Sequence, residues 1–228
     1  MLDQYKQQHP YLVALDSIIF GFDGESLKVL LVKRGMEERT WSLMGGWLQP
    51  VESLEQAAAR ILFDLTGLTN VYLEQLHAFG DPHRDPIVRT VSVAYFSLVK
   101  VADYESKITE TYQARWFSIY NLPPLLFDHG DMVDLAIKRL RYKAAQHPIG
   151  FELLPEKFTI PQLKKLYDAV YNTEFDKRNF SRKILSTNLL IKLDEKQKGF
   201  SRKGAYYYQV DQTKYQQATD SFLNFIPT

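Results

Sequence analysis

Cysteine is absent from the 228 residues, which excludes disulfides, thiolate catalysis and cysteine metal sites. No apolar run reaches the roughly 18 residues that read as a membrane span. The N-terminal stretch MLDQYKQQHP lacks the charged-then-apolar order of a secretory leader, so a cytoplasmic location is expected. There is no internal repeat and no low-complexity tract, which excludes repeat architectures. Net charge is almost absent, at +1. The remainder, 45% hydrophobic and 24% charged, is the composition of a globular protein with a sizeable core in one or two domains.

The near-zero charge hides an imbalance. Residues 1–150 carry 15 Lys and Arg against 18 Asp and Glu, whereas residues 151–228 carry 13 against 9. Within Asp176–Lys203 the count is 9 against 3. A cluster of this kind is either a nucleic-acid surface or a solvated lysine-rich face.

Two strands are expected over residues 11–34, where YLVALDSIIFGF and LKVLLVKR flank an Asp-Gly turn. A glycine-containing loop through MGGWLQP follows. Ser53 and Gln56 have capping-box spacing and Gly67 sits at a helix stop, so a helix is expected from Ser53 to Thr66. VYLEQLHAF, TVSVAYFSLVKV and ARWFSIYNL read as strands, the first two joined by the loop GDPHRDPIVR. DMVDLAIKRLRYKAA has helical periodicity, with Met132, Leu135, Ala136 and Leu140 on one side. AQHPIGFELLPEKF interrupts that pattern, which divides the chain into residues 1–148 and 149–228.

In the second part, Thr159 and Gln162 repeat the capping-box spacing at the head of TIPQLKKLYDAVY, with Ile160, Leu163, Leu166 and Val170 facing inward. A second helix spans about Asp176–Thr187. Phe180 and Ile184 face inward, and Arg178 and Arg182 lie together on the far side, flanked by Ser181 and Ser186. LLIKL and AYYYQV then form a hairpin around DEKQKGFSRKG. Helix, turn, helix and basic hairpin together describe a winged helix. Arg178 and Arg182 are the candidates for reading bases, Ser181 for bases or phosphates, Lys177 and Lys183 for holding backbone, and Asn179 is a further candidate for DNA contact. Lys198, Ser201, Arg202 and Lys203 at the hairpin tip are the candidates for phosphates. The alternative is a protein-interaction domain with solvated lysines.

Gly46, Glu52, Arg60, Leu62, Gly67 and Leu68 stand at the spacing of the Nudix box, and the first part resembles the Nudix family. The resemblance implies an α/β/α sandwich around a mixed sheet, followed here by the small winged helix-turn-helix domain, an α+β protein overall. It departs at the family's metal acids, whose positions hold Ile61, Asp64 and Leu65. Diphosphate hydrolysis there needs a divalent cation held by oxygen ligands, and Ile61 and Leu65 supply none. In helical projection Leu54, Ala58, Ile61, Leu62 and Leu65 form a single stripe of about 100°. No catalytic residue, metal or cofactor is therefore expected, and Glu52 and Arg60 are expected to pair as scaffold.

A retained scaffold can still bind a small molecule. Arg84 and Asp85 sit on a loop between strands, where arginine suits phosphate or carboxylate and aspartate suits sugar hydroxyls. The same two residues could equally stabilise their own turn. Asp128 and His129 of FDHGDM either line a pocket or cap the next helix, and Trp47 of MGGWLQP is a further candidate for effector contact.

Taken together, the two parts resemble the Nudix-related transcriptional regulators over about Tyr11 to Val210. That resemblance implies a homodimer, a double-stranded inverted-repeat operator and a small-molecule inducer. One branch is similar to regulators of NAD metabolism that sense ADP-ribose, another to regulators of sugar catabolism that sense a pentose such as arabinose. The decayed box favours the pentose branch, because a neutral sugar needs no metal-diphosphate machinery. A Nudix hydrolase with a nucleic-acid module and a protein-binding adaptor are the competing expectations.

Overall fold

A computed structural model of the chain describes residues 6–34, 41–67, 69, 71–101, 113–146, 150–197 and 204–217. The strands are β1 (Leu12–Phe22), β2 (Leu27–Lys33), β3 (Trp41–Ser42), β4 (Met44–Trp47), β5 (Tyr72–Phe79), β6 (Thr90–Lys100), β7 (Arg115–Ser118), β8 (Phe158–Thr159), β9 (Leu190–Gln197) and β10 (Ala205–Val210). The helices are α1 (Leu54–Thr66), α2 (His129–Gln146), α3 (Ile160–Tyr171), α4 (Lys177–Ser186) and α5 (Gln212–Gln217). No helix among the described residues is long and apolar enough to cross a membrane.

The first sheet is organised around β1. On one side β1 runs parallel to β6 over eleven residues, Leu12 opposite Thr90 through Phe22 opposite Lys100. On its other side β4 pairs antiparallel with Ala14–Ser17 and β2 with Phe20–Phe22. β5 extends the sheet beyond β6, and β3 and β7 pair with β2. The sheet is mixed, and the stretch expected as a loop through MGGWLQP is partly strand β4. Two glycines at its centre hide the strand pattern, and Gly45 is there for room: a Cβ would strike the Asp16 carboxylate.

Successive residues of a strand face opposite sides of a sheet, and here both sides are buried. Leu15 and Ile19 of β1 face α1, with Ala57, Ala58, Ile61 and Leu62 in their clusters. Ile18, Phe20 and Phe22 face the other way and join the core that includes α2. This is the expected three-layer sandwich. α1 starts at a full capping box between Ser53 and Gln56 and stops at Gly67, whose left-handed backbone (φ 70°) lets its N–H close on the Phe63 carbonyl. The apolar stripe of α2 is wider than expected, because Val133 and Ile137 are buried as well as Met132, Ala136 and Leu140.

The second unit is a winged helix. α3 has the expected capping box at Thr159 and Gln162, and its inward residues Ile160, Leu163, Leu166 and Val170 are buried. In α4, Asp176 caps the start and Phe180 and Ile184 point into the core. β9 and β10 form the hairpin, to which β8 adds a third strand. The division placed at residue 148 falls in 147–149, outside the described residues. One apolar core runs from α2 through Leu153 and Leu154 to α3 and α4.

Candidate functional site

A cavity of about 240 Å³ opens at the N-terminal end of α2. It is lined by Asp16 from β1, Arg34 after β2, Gly45, Gly46 and Trp47 from β4, Arg84, Asp85 and Ile87 from the β5–β6 loop, and Phe127 and His129 at the head of α2. In two larger clefts, of about 600 and 610 Å³, the charged lining includes groups already used in ion pairs, Lys164 with Asp168 in one and Asp23, paired with Lys28, in the other.

Arg84 is buried and gives both arms of its guanidinium to Asp128, Nε to Oδ2 at 2.8 Å and Nη2 to Oδ1 at 2.7 Å. Such a two-point, charge-assisted pair fixes the arginine's plane as well as its charge. Asp16 lies 3.7 Å from the same Nη2 and accepts a 2.6 Å hydrogen bond from the Ser92 hydroxyl. His129 Nδ1 accepts the backbone N–H of Leu43 at 3.1 Å. The neutral ring therefore carries its proton on Nε2, which faces Asp16 Oδ1 at 3.7 Å. Burial holds His129 below the usual imidazole value, against the opposing pull of Asp16 and Asp128.

The candidates Trp47, Arg84, Asp85 and His129 all line this cavity, and Asp128 joins it through Arg84. Two local readings change. Arg84 does not pair with its neighbour but with Asp128, 44 residues away. Asp128 likewise spends its carboxylate on Arg84, and its carbonyl, not its side chain, takes the Met132 N–H. Asp85 does stabilise its own loop, accepting from the Ile87 N–H and the Thr90 hydroxyl. Asp16, Arg34 and Phe127 were not singled out by sequence. Asp16 had a readable signal, a lone charge in an apolar strand. Arg34, exposed and donating to the Gly45 carbonyl at 2.9 Å, had none beyond its place at a strand end. Phe127 takes a left-handed backbone (φ 51°), uncommon for a bulky residue, and sets its ring edge-on to His129.

The Nudix-box positions are organised differently. Glu52 and Arg60 make the expected scaffold pair, at 2.6 and 2.8 Å, and Arg60 also donates to the Trp47 carbonyl. Asp64 is exposed and turned toward Arg60, 3.6 Å away. Ile61 is buried with Leu15, Ala57, Ala58, Val93 and Tyr95, and its Cδ1 fills the space beside Gly46, 3.1 Å from where a Cβ would stand. Among the described residues, no three His, Asp or Glu side chains gather as metal ligands. This donor set does not fit the hard divalent cation of the family, which needs several oxygens.

On α4, Arg178, Asn179 and Arg182 are exposed, opposite the buried Phe180 and Ile184, and Lys177 is exposed at the helix start. Asn179 Oδ1 accepts from Arg182 Nη2 at 3.0 Å, which pre-sets the arginine's direction. Ser181 and Lys183 are half-buried, and the Ser181 hydroxyl bonds back to the Lys177 carbonyl. On the hairpin, the ammonium groups of Lys192 and Lys196 sit 3.7 and 4.4 Å from the Tyr206 ring centre, a pair the sequence reading passed over. Lys198, Ser201, Arg202 and Lys203 lie outside the described residues.

Comparison with known proteins meets this geometry. Residues 10–135 match the NUDIX domain and residues 150–210 the NrtR DNA-binding winged helix domain. The chain is 30% identical over 202 residues, 85% of its length and 81% of the relative's, to the ADPR responsive transcriptional repressor NtrR of Acinetobacter baylyi. Its fold is similar to the crystal structure of Shewanella oneidensis NrtR complexed with a 27mer DNA, with TM-score 0.78, 27% identity, and 90% and 95% of the two chains covered. The NUDIX domain of the same Shewanella protein, complexed with ADP ribose, matches with TM-score 0.50 and 30% identity over 59% of this chain and 92% of that one. The expected pentose branch finds no support in these relatives. The chain belongs to the Nudix-related transcriptional regulators, in which a NUDIX domain is followed by an NrtR-type DNA-binding winged helix.

Proposed function

We propose that this protein is a repressor that releases its operator on binding ADP-ribose, with the NUDIX domain as a sensor that does not hydrolyse its ligand. The observation that carries the absence of hydrolysis is the fate of the metal face, while the choice of ADP-ribose rests on the NtrR repressor and on the NUDIX domain complexed with ADP ribose. Ile61 is core, and Glu52 and Asp64 both serve Arg60, in a chain that also carries a DNA-reading helix. A cavity of about 240 Å³ takes one ribose-phosphate portion of ADP-ribose. Among the described residues lining the cavity, Arg34 is the cation open to a phosphate, since Arg84 is held by Asp128. Exposed Trp47 and Ile87 at the rim offer apolar surface for the base.

Arg178 and Arg182 of α4 would enter the major groove of a double-stranded inverted repeat, one half-site per protomer of a homodimer. Lys177 and the hairpin lysines would hold phosphates. The test is calorimetry with ADP-ribose and with arabinose, without added metal, beside selection from random duplex DNA. ADP-ribose binding and an enriched inverted repeat are expected. Arabinose binding alone would return the reading to sugar sensing, and no enriched sequence would move it to a protein-binding adaptor.

A further inference from the structure

We infer that Tyr120 and Arg141 of the NUDIX unit form a latch on the end of α3, and that this latch sets the orientation of the reading helix. The response to ligand in this inference rests on the regulator reading above; the docking itself does not.

A helix leaves its last carbonyls without internal partners. At the end of α3, Asn172 takes a left-handed backbone (φ 53°), and its N–H and that of Thr173 both go to the Asp168 carbonyl. The next two carbonyls, of Ala169 and Val170, are satisfied by the other unit. The Tyr120 hydroxyl is shared between them, 2.7 Å from Ala169 O and 3.2 Å from Val170 O. Arg141 Nε donates to Val170 O at 2.8 Å, and its Nη2 donates to the Tyr120 oxygen at 3.1 Å. In return the Tyr171 hydroxyl donates to the Arg141 carbonyl at 2.8 Å. The guanidinium also lies at the negative end of the α3 dipole. Backbone acceptors are what make this a positional device. They fix the axis of α3 itself, where a side-chain partner could swing.

Both ends of the latch lead somewhere. α3 holds α4 through Tyr167 against Phe180, ring centres 5.5 Å apart, and through Phe175, which meets both Tyr171 and Phe180. In the other direction, Arg141 lies on the helix whose head carries His129, with Asp128 just before it. Twelve residues of helix separate Arg141 from His129, about 18 Å of rigid rod. A ligand that displaces Asp128 or His129 thus moves one end of the element that grips α3 at the other.

The absence of cysteine gives a clean test. Cysteines introduced at exposed Glu25 and Glu174, one in each unit, carry two spin labels in the full chain, which is mixed with excess unlabelled protein so that a dimer holds at most one labelled protomer. The otherwise unaltered protein should give one narrow distance distribution, and Tyr120→Phe with Arg141→Gln should broaden it. Circular dichroism checks that the variant folds, and Tyr120→Phe alone serves if the pair does not. An unchanged narrow distribution overturns the latch. In parallel, the ratio of operator affinities without and with ADP-ribose should fall at least about fivefold in the variant, with ADP-ribose affinity itself little altered. A ratio equal to that of the unaltered protein also overturns the latch. If the unaltered protein shows no response to ADP-ribose, the effector reading fails, and the distance measurement still decides the docking.

Discussion

His129 illustrates how much one buried side chain carries. Its Nδ1 is committed to a backbone N–H and its Nε2 faces a carboxylate, so the ring is held neutral and in one tautomer. Burial lowers its affinity for a proton. Above about pH 6.5 both folded and unfolded chains hold the neutral ring. Below it the unfolded chain gains a proton that the folded chain refuses, and stability falls as pH falls. The slope from this group is limited to about 1.4 kcal/mol per pH unit. Urea unfolding of the unaltered protein and of His129→Gln between pH 7.5 and 5.5 should show a stability difference that narrows with acid; parallel curves would contradict it. Sequence could place His129 and Asp128 near a pocket. It could not show that Asp128 belongs to Arg84, because no periodicity links residues 44 apart.

The element scale is where the sequence was most legible. Both capping boxes, the Gly67 stop and the inward faces of α3 and α4 are local patterns, set by spacing within one helix, and the structure has them as read. β4 escaped notice because four residues with two glycines carry no strand signature. The parallel pairing of β1 with β6 escaped it because alternation marks a strand without naming its partner. α1 carries the sharpest test. Ile61→Glu restores an acid of the family pattern but places it among Leu15, Ala58 and Val93. An unpaired charge there should cost about 3–5 kcal/mol, read by chemical denaturation, and magnesium should not restore it. Full stability with new hydrolysis of ADP-ribose would mean that the metal face is intact. On α4, Arg182→Ala should weaken operator binding by about 1–3 kcal/mol while leaving random duplex almost unaffected. Lys177→Ala should weaken both alike and flatten the salt dependence. Equal effects of the two in a fluorescence anisotropy titration would deny α4 its division between bases and backbone.

For the whole molecule, two units of different purpose share one apolar core and one hydrogen-bonded joint at α3. The charge division along the chain, acidic over residues 1–150 and basic after it, fits that difference of purpose but by itself fitted a solvated lysine-rich face as well. The family was legible from the Nudix box and the winged-helix pattern. The effector class was not, because a box without its acids excludes a chemistry without naming a ligand. The emptied metal face suggested a neutral sugar, whereas the relatives with a known effector are described with ADP-ribose and none with a sugar.

Sensing without turnover is tested by following DNA release and the fate of the nucleotide in one mixture. A labelled duplex bearing the selected repeat is bound by the full chain, ADP-ribose is titrated in with magnesium present, and the nucleotide is recovered and analysed by chromatography. DNA should be released as ADP-ribose rises, and the ADP-ribose should be recovered intact. Release accompanied by AMP and ribose phosphate would make the protein a hydrolase, and DNA that stays bound at saturating ADP-ribose would remove the nucleotide from its regulation.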